Sequence, residues 1–279
     1  MQLGSIHVHP VKGGRSVSLE AAELSREGLL GDRRWMLVDA DGKFVTQRQM
    51  PALARLEAEM TEDGLILVFG ETGERFVPFP DGSERLTARI WRDAVDVALA
   101  DPETQGAIAR WFGRDLRLVY QDRVERLADP DFAPDESPVS LADGYPILIA
   151  TTASLRDLNS RLVYDGLDPV PMSRFRPNLV IDEAEAWRED GWSAIRIGGV
   201  VLDLVKPCAR CTVTTVDQMD GAFAGEEPLR ILRETRMSAD RRVPGVLFGW
   251  NAVPRGEGRL DVGDRVEVLA THERDIVRG

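Results

Sequence analysis

The sequence of 279 residues predicts a mainly β protein with short helices, an α+β arrangement. Residues 52–99 contain short alternating apolar runs separated by glycine and proline, a pattern typical of antiparallel strands. The segments 193–205, 245–253 and 259–269 repeat this pattern near the other end of the chain. Hydrophobic residues make up 43 % of the sequence, which is enough for one large core or two of ordinary size.

The first part of the chain predicts a series of strands followed by one helix. We expect strands at residues 4–8, 35–39, 43–47, 65–69, 75–78, 86–91, 94–99 and 116–120. The turn residues Ala40-Asp41-Gly42 predict that two of these strands form a hairpin. A helix is expected at 103–112, with Asp101 as its N-cap and Pro102 at its first position.

The second part begins with a polar connector that contains several prolines. Its residues 129–138 hold three prolines and four acids, and they are the best candidate for a linker or a mobile loop. A strand at 147–150 then leads into a helix that begins near Thr152. Ser154 and Asp157 fit a capping box for this helix loosely, because Asp is not the preferred residue at the second position.

The two cysteines of the chain, Cys208 and Cys211, lie in the segment KPCARCTVTTVD at 206–217. A thiolate is the form that attacks substrates and binds metals, and nearby Lys or Arg favours it. Pro207 fixes one backbone angle, so we expect the pair on a shaped loop at the end of the 193–205 hairpin. The candidate chemistry is therefore placed here.

A C-x-x-C pair has several readings, which spacing alone leaves open: a redox dithiol, half of a zinc site, a structural disulfide or two buried apolar groups. Zinc is disfavoured because a structural zinc site needs two further ligands and the sequence has no second C-x-x-C to supply them. The only histidines of the chain are His7, His9 and His272. A redox dithiol usually opens a helix, whereas the β-branched residues 212–216 are expected to be extended.

Net charge gives two opposite indications. The value of −12 argues against nucleic-acid binding, which rests on basic residues that neutralise phosphates. The motif segments are nevertheless basic, so an acidic protein would carry a cationic cleft for a small phosphate-bearing ligand if they converge. The alternative is that these charges decorate loops. The basic residues are Lys12, Arg15, Arg33, Arg34, Arg48, Arg174, Arg176, Lys206 and Arg210.

Location follows from what the sequence lacks. Apolar runs stay shorter than the roughly 18 residues of a membrane span. The N-terminus has neither the basic start nor the apolar centre of a signal peptide. Two cysteines without an export signal indicate a reducing compartment. We therefore expect a cytoplasmic monomer that binds neither membrane nor nucleic acid.

Three local patterns are suited to holding an anion. Lys12 is followed by Gly13 and Gly14, which let backbone amides approach a ligand closely. The segment 143–145 is a glycine turn before a helix, which is a ready anion site. Arg176 and Asn178 alternate around a proline, so in extended backbone their side chains point the same way. Asn178 capping a turn is the alternative reading.

Seven segments together resemble the MOSC (molybdenum cofactor sulfurase C-terminal) domain superfamily, and the chain as a whole resembles the amidoxime-reducing proteins of mitochondria and their bacterial relatives. The resemblance covers nearly the whole length. The segments, in family order, are HPVKGGRSVS (9–18), GLLGDRRWMLVD (28–39), FVTQRQMP (44–51), LADGYPILIATTASLRDLNSRL (141–162), FRPNLVI (175–181), KPCARCTVTTVD (206–217) and VLFGWN (246–251).

The resemblance implies an N-terminal barrel-like MOSC-N domain at 1–125, a MOSC β-barrel at 126–279, and a molybdenum–molybdopterin cofactor in the cleft between them. Cys211 would be the metal ligand, and Arg210 would favour its thiolate and help to bind the cofactor or substrate. Gly13 stands where the family often has serine, so only a backbone contact remains there. The other implied cofactor contacts are Lys12, Arg33, Arg48, Gly144, Tyr145, Arg176 and Asn178.

The resemblance also implies a reaction, the reduction of small N-hydroxylated compounds such as hydroxylamines, amidoximes and N-oxides. Some relatives carry an appended ferredoxin domain, which needs four further cysteines that this sequence lacks. Electrons are therefore expected from a separate ferredoxin-, flavin- or cytochrome-type protein. The alternative function is a carrier of sulfur or of the molybdenum cofactor, acting through a persulfide on Cys208 or Cys211.

Overall fold

A computed structural model describes residues 1–71, 73–134, 136–273 and 275–278. Its helices are α1 (Pro102–Phe112), α2 (Thr152–Tyr164) and α3 (Leu229–Thr235). Its strands are β1 (Gln2–Val8), β2 (Val11–Lys12), β3 (Val17–Leu19), β4 (Ala21–Ser25), β5 (Gly28–Leu29), β6 (Trp35–Val38), β7 (Leu56–Thr61), β8 (Gly64–Phe69), β9 (Glu74–Pro78), β10 (Arg85–Ile90), β11 (Asp93–Leu99), β12 (Arg117–Tyr120), β13 (Ile147–Thr151), β14 (Leu179–Asp182), β15 (Trp192–Ile197), β16 (Val200–Arg210), β17 (Val216–Asp217), β18 (Ala222–Phe223), β19 (Val246–Pro254), β20 (Gly258–Asp261) and β21 (Val266–Thr271). The predicted mainly β fold class is confirmed.

One eight-stranded sheet dominates the structure, in the order β21-β15-β16-β19-β13-β14-β1-β3. The sheet curls so that β1, near one end, approaches β21 at the other end. Leu3 of β1 exchanges backbone hydrogen bonds with Gly263 and Asp264, just before β21. Its concave side holds one apolar core, which includes Leu3, Ile6, Ile149, Leu202 and Trp250. The first strand of the chain therefore completes a barrel-like sheet whose other strands, β3 apart, come from the second half.

The first half contributes two further sheets, β10-β11-β12-β6-β2 and β7-β8-β9. A second core with Trp35, Leu53, Leu67 and Leu118 lies under them and under α1. Asp101 caps α1 as predicted, since its carboxylate accepts a hydrogen bond from the Thr104 amide at 2.9 Å. Within the described residues, no helix is both long enough and apolar enough to cross a bilayer.

Two local predictions are wrong. Residues 43–47 do not form a strand, and only Lys43 and Phe44 form isolated bridges, because the Asp39 carboxylate accepts hydrogen bonds from the backbone of Asp41 and Lys43 and tightens the turn. The cap of α2 is Thr151 and not Ser154, since the Thr151 hydroxyl accepts a hydrogen bond from the Ser154 amide at 3.1 Å. Asp157, the expected partner in the capping box, accepts instead from the Trp187 indole at 2.8 Å.

The polar connector after β12 folds back on itself. The Ala128 amide donates to the Ser137 carbonyl at 2.8 Å, and the Val139 amide donates to the Arg126 carbonyl at 2.9 Å. These bonds close the loop that the sequence singles out at 129–138, of which Asp135 lies outside the described residues. The division of the chain at 125/126 stays a prediction.

Candidate functional site

A cleft lies where segments of the first half meet the end of β16 and the turn before β14. All ten residues that the sequence marks as site residues line it, although they come from six separate stretches of the chain. They are Lys12, Gly13, Arg33, Arg48, Gly144, Tyr145, Arg176, Asn178, Arg210 and Cys211.

The end of β16 directs the first cysteine into the cleft. Up to Leu204 the even-numbered residues of β16 face the core, but its pairing with β19 shifts register between Leu204 and Lys206 and again between Pro207 and Ala209. After the first shift the buried residue is the odd-numbered Pro207, and on either side of Ala209 the residues Cys208 and Arg210 line the cleft. Such irregularities re-aim side chains next to functional sites. The expected loop is therefore the bulged end of a strand.

Cys211 lies just beyond the strand, where the chain changes direction. The prediction that residues 212–216 are extended is wrong, because Thr212–Thr215 form a 3-10 turn. The Thr214 hydroxyl donates to the Cys211 carbonyl at 2.9 Å, and the Thr215 hydroxyl donates to the Thr212 carbonyl at 2.8 Å. These bonds to the backbone outweigh the preference of threonine for strands. Both cysteines are free thiols.

Each cysteine has its own arginine. Arg210 Nη1 lies 2.8 Å from the Cys208 Sγ, and Arg210 Nη2 donates to the Phe175 carbonyl at 2.7 Å. The expected contact between Arg210 and Cys211 is therefore corrected, because residues two apart on a strand share a face. The cation at the Cys211 sulfur is Arg48, whose Nη2 is 3.3 Å from Sγ.

Lys12 and Asp143 form an ion pair in the wall of the cleft, with Nζ 2.5 Å from Oδ1. Only 8 % of the Lys12 side chain is exposed, and this burial lowers the pKa of Lys12. The negative charge of Asp143 partly offsets the shift. Asp143 keeps 67 % of its side-chain surface open to the cleft. The cleft walls would raise the pKa of its carboxyl, but the charge and hydrogen bond of Lys12 hold it well below its usual range. Asp143 is therefore an anion at neutral pH.

Arg33 is fixed by contacts with the buried residues Asp32 and Asn178. Its Nη1 donates to the Asp32 carboxylate and lies 3.2 Å from the Asn178 Oδ1. Asp32 also accepts a hydrogen bond from the His9 amide at 2.8 Å. Burial alone would raise the pKa of Asp32, but Arg33 and the His9 contacts outweigh it and lower the pKa to about 2. This permanent carboxylate fixes Arg33 in the cleft wall.

Arg176 reaches the cleft from a left-handed backbone position, with φ 54°. The expectation that Arg176 and Asn178 alternate in extended backbone is therefore wrong, although both line the cleft. Burial and the neighbouring Arg33 lower the pKa of Arg176 to about 9, so it remains a cation at pH 7. Its Nη1 donates to the Gly14 carbonyl at 2.7 Å. Its Nη2 is buried without a hydrogen-bond partner in the described structure, as is Nε of Arg210.

Asn178 braces the wall instead of capping a turn. Its Oδ1 accepts from the Leu148 amide at 3.1 Å and its Nδ2 donates to the His7 carbonyl at 3.2 Å. The side chain is 1 % exposed and it also faces Arg33. Asn178 thus ties three segments of the chain together beneath the cleft, and its amide groups are already occupied by the protein.

Two glutamines contribute to the site without having been predicted as site residues. Buried Gln47 donates from Nε2 to the Gly13 carbonyl at 2.7 Å, and Gln218 donates to the Gln47 Oε1 at 2.9 Å. This pair fixes Gly13 at φ 83°, a conformation that favours glycine. Gln47 stands next to Arg48 in the segment 44–51, in which Arg48 alone is predicted to contact the cofactor. Asp143 lies in the turn at 143–145 that the sequence predicts as an anion site.

Five of the nine basic residues marked in the sequence converge on the cleft: Lys12, Arg33, Arg48, Arg176 and Arg210. The remaining four have their own partners away from it. Arg15 pairs with Glu57, Arg34 with Glu27, Arg174 with Asp217 and Lys206 with Asp129.

Comparison with known proteins places this geometry in a family. The model of the MOSC N-terminal beta barrel domain matches residues 1–117, and that of the MOSC domain matches residues 136–267. Mitochondrial amidoxime-reducing component 1 of Danio rerio is 36 % identical over 93 % of this chain and 82 % of that protein. Its Homo sapiens counterpart is 31 % identical over 96 % of this chain and 82 % of its own length.

The chain belongs to this MOSC family. The two matched segments meet at the cleft, since Lys12, Arg33 and Arg48 come from the first and Arg176 and Cys211 from the second. A more distant relative, the molybdenum cofactor sulfurase of Oryza sativa subsp. japonica, is 28 % identical over 96 % of this chain but 35 % of that protein. The predicted resemblance is therefore confirmed at the level of the family.

Proposed function

We propose that this protein is a molybdenum cofactor-dependent reductase of small N-hydroxylated compounds. The observation that carries the proposal is the free thiol of Cys211 in a cleft with five cations and two unpartnered guanidinium N–H groups. Its relatives are named amidoxime-reducing components, which supports this reaction class. In such a reaction an N–O bond breaks, two electrons and two protons are consumed, and water leaves.

The residues of the cleft fit a phosphate-bearing pterin cofactor. Buried guanidinium donors without a partner are costly unless a ligand accepts from them. Arg176 Nη2 and Arg210 Nε are two such donors. With Lys12 and Arg33 they would hold the phosphate, since guanidinium forks match phosphate oxygens. The backbone of Gly13 and of the Gly144–Tyr145 turn lies in the same wall.

Cys211 would be the protein's ligand to molybdenum, because a soft metal favours a soft thiolate. When bound, the cofactor would supply the two-electron redox chemistry, while the protein supplies position and electrostatics. Arg48 places a positive charge 3.3 Å from the sulfur. Cys208, whose sulfur is engaged by Arg210, would not be a ligand.

Asp143 has a defined place in this scheme. Lys12 keeps it ionised, so its exposed carboxylate can accept a hydrogen bond from an N–H group but cannot donate a proton at neutral pH. We propose that it orients such a group of the pterin or of the substrate. The protons of the reaction must then come from another donor, for which water in the open cleft is sufficient.

The experiment is a turnover assay with the full-length chain from a molybdenum-replete host. Reduced viologen would serve as the artificial electron donor and a simple aromatic amidoxime as the substrate. We expect one amidine per two electrons, and no turnover by matched protein from cells grown on tungstate. Inactive protein that carries a persulfide on Cys208 or Cys211 would instead support the sulfur-carrier alternative. With the physiological system, we propose that a separate redox protein replaces the viologen.

A further inference from the structure

A line of contacts connects the Cys211 sulfur to an aromatic residue at the surface. Arg48 Nη2 lies 3.3 Å from the Cys211 Sγ, and the Arg48 guanidinium carbon lies 4.7 Å from the centre of the Trp91 ring. Trp91 in turn packs edge-on against Phe44, with ring centres 5.0 Å apart. Phe44 is buried, so it anchors the outer ring to the core.

Trp91 occupies an unusual position for its residue type. It is the first residue of the two-residue turn between β10 and β11, where Ile90 pairs with Asp93. Its φ of 55° lies in the left-handed region, which such turns usually fill with glycine or asparagine. It is also 51 % exposed, although tryptophan is a large apolar side chain. Strained, exposed residues of this kind concentrate near functional sites.

Arg48 differs from the other cations of the cleft in what holds it. Lys12 is fixed by Asp143, Arg33 by Asp32 and Arg210 by the Phe175 carbonyl. For Arg48, by contrast, no carboxylate oxygen among the described residues lies within 4.0 Å, and the hydrogen-bond and cation–π partners of its guanidinium there are the cysteine sulfur and the indole face. An arginine side chain has many rotamers, so without the indole its charge would spread over several positions.

We propose that Trp91 is a positioning residue, which holds the Arg48 guanidinium against the Cys211 sulfur by a cation–π contact. The exposed indole thereby sets the positive charge at the sulfur that the proposed function makes the metal ligand, and the inference rests on that function for its purpose. The contact itself does not require a bound cofactor. A cation over the face of a tryptophan is the most favourable pairing of this kind.

The test compares two alkylating reagents on the cofactor-free full-length chain. Both reagents, iodoacetate and iodoacetamide, react with the thiolate, but one is an anion and the other is neutral. The ratio of their rates therefore reports the charge beside the sulfur and not the amount of thiolate. A Cys208→Ser background limits the reaction to Cys211 and leaves a hydroxyl for Arg210. Arg89→Met is the matched control, because it removes an exposed charge from β10 two residues before Trp91.

We expect Arg48→Met to lower the iodoacetate-to-iodoacetamide ratio about fivefold, as for one charge near 4 Å in a water-like dielectric. Trp91→Leu should lower the ratio most of the way to that value, and Trp91→Phe should restore most of it, since phenylalanine keeps an aromatic face. The double variant Arg48→Met/Trp91→Leu should resemble Arg48→Met alone, because Trp91 acts through Arg48. Arg89→Met should leave the ratio unchanged.

A wild-type ratio in Trp91→Leu would overturn the proposal, and so would a loss in the double variant that equals the sum of the two single losses. A Trp91→Leu protein that unfolds is recognised by circular dichroism, and Trp91→Phe then decides: the proposal requires that its ratio exceed that of Arg48→Met. Because no molybdenum is present, these outcomes are independent of whether the turnover assay succeeds.

Discussion

Two clusters of charged side chains in this molecule differ in how their charges are balanced. On α3, Arg230 lies within 3.0 Å of three carboxylates, those of Asp165, Glu227 and Glu234. In the cleft, the five cations Lys12, Arg33, Arg48, Arg176 and Arg210 have two direct carboxylate partners, Asp32 and Asp143. The whole chain carries a net charge of −12, so acids are not scarce elsewhere.

The difference separates charges that are balanced within the fold from charges that are not. Arg230 is partly exposed and fully paired, and it needs nothing more. In the cleft, burial and like charge lower the pKa of Arg176, and its Nη2 finds no acceptor in the described structure. A buried charge without a partner lowers the stability of the folded protein. Such a charge therefore persists only where the surrounding structure is stable enough to hold it in place. An anionic ligand would relieve this cost.

The largest effect should come from the two cysteines. Cys211→Ala removes the proposed metal ligand and should abolish amidoxime reduction. Cys208→Ala should lower activity by no more than about tenfold, which is the smallest loss usually seen when a residue that supports a metal ligand is removed. The loss should be this small because Arg210 keeps its hydrogen bond to the Phe175 carbonyl. Steady-state kinetics with the artificial donor would measure both. Equal losses from the two changes would contradict the assignment of the metal to Cys211.

The next effect should come from Arg176. Arg176→Gln removes an unpartnered donor and a charge from the proposed phosphate site, and it should lower cofactor retention about 10- to 100-fold in an exchange assay. The free energy of unfolding of the cofactor-free protein should change by less than about 1 kcal/mol, since the lost bond to the Gly14 carbonyl is offset by relief of repulsion from Arg33. A fold that collapses without Arg176 would assign it a structural role.

A third charged group sharpens the comparison, because Glu189 is fully buried and its partners are hydroxyls. The Thr151 hydroxyl lies 3.1 Å from its Oε1, and burial raises the pKa of Glu189 to about 7. The folded state therefore binds this proton more tightly than the unfolded chain, whose value is the ordinary 4.5. The stabilising contribution is complete below pH 4.5 and is lost as the pH rises to about 7.

Glu189→Gln should remove that loss. Relative to wild type, the free energy of unfolding of the variant should rise by about 3 kcal/mol between pH 4.5 and pH 8. Urea titrations of both proteins across this range would measure the difference, in which the contributions of other titrating groups cancel. A difference that stays constant with pH would show that Glu189 titrates at its ordinary value.

The smallest effect should come from the balanced cluster. Arg230→Gln breaks three ion pairs at the surface, and their contribution to stability is small because solvent screens them. Cofactor retention should match wild type. The Arg→Gln substitution thus distinguishes the two regions. In the cleft it should lower cofactor retention, and on α3 it should lower only the stability of the fold, and that slightly. Molybdenum content and thermal denaturation of both variants would establish this contrast.

The sequence predicts what depends on neighbours along the chain. The Asp101 cap of α1, the hairpin at 193–205 and most strand positions follow from local patterns, and they are confirmed. The family motifs name ten of the residues that line the cleft. Only the resemblance to the family predicts that these residues form one site. Composition alone is equally compatible with basic residues that lie on separate surface loops.

The rest depends on contacts between distant segments. Arg48 meets Cys211 across 163 positions, so the sequence assigned the wrong arginine to that sulfur. The 3-10 turn at Thr212–Thr215 and the left-handed Arg176 are set by hydrogen bonds to their surroundings, which override the extended preference of these residues. Trp91 carried no sequence signal, because its partner Arg48 is brought to it by the fold.

The most direct test of the account is the molybdenum and pterin content of protein from a molybdenum-replete host, for wild type, Cys211→Ala and Arg230→Gln. We predict near one molybdenum and one pterin per chain in wild type and in Arg230→Gln, and loss or an altered electronic spectrum of the metal in Cys211→Ala. Wild-type protein free of molybdenum and pterin would contradict the account, and the cationic cleft would then require a different ligand.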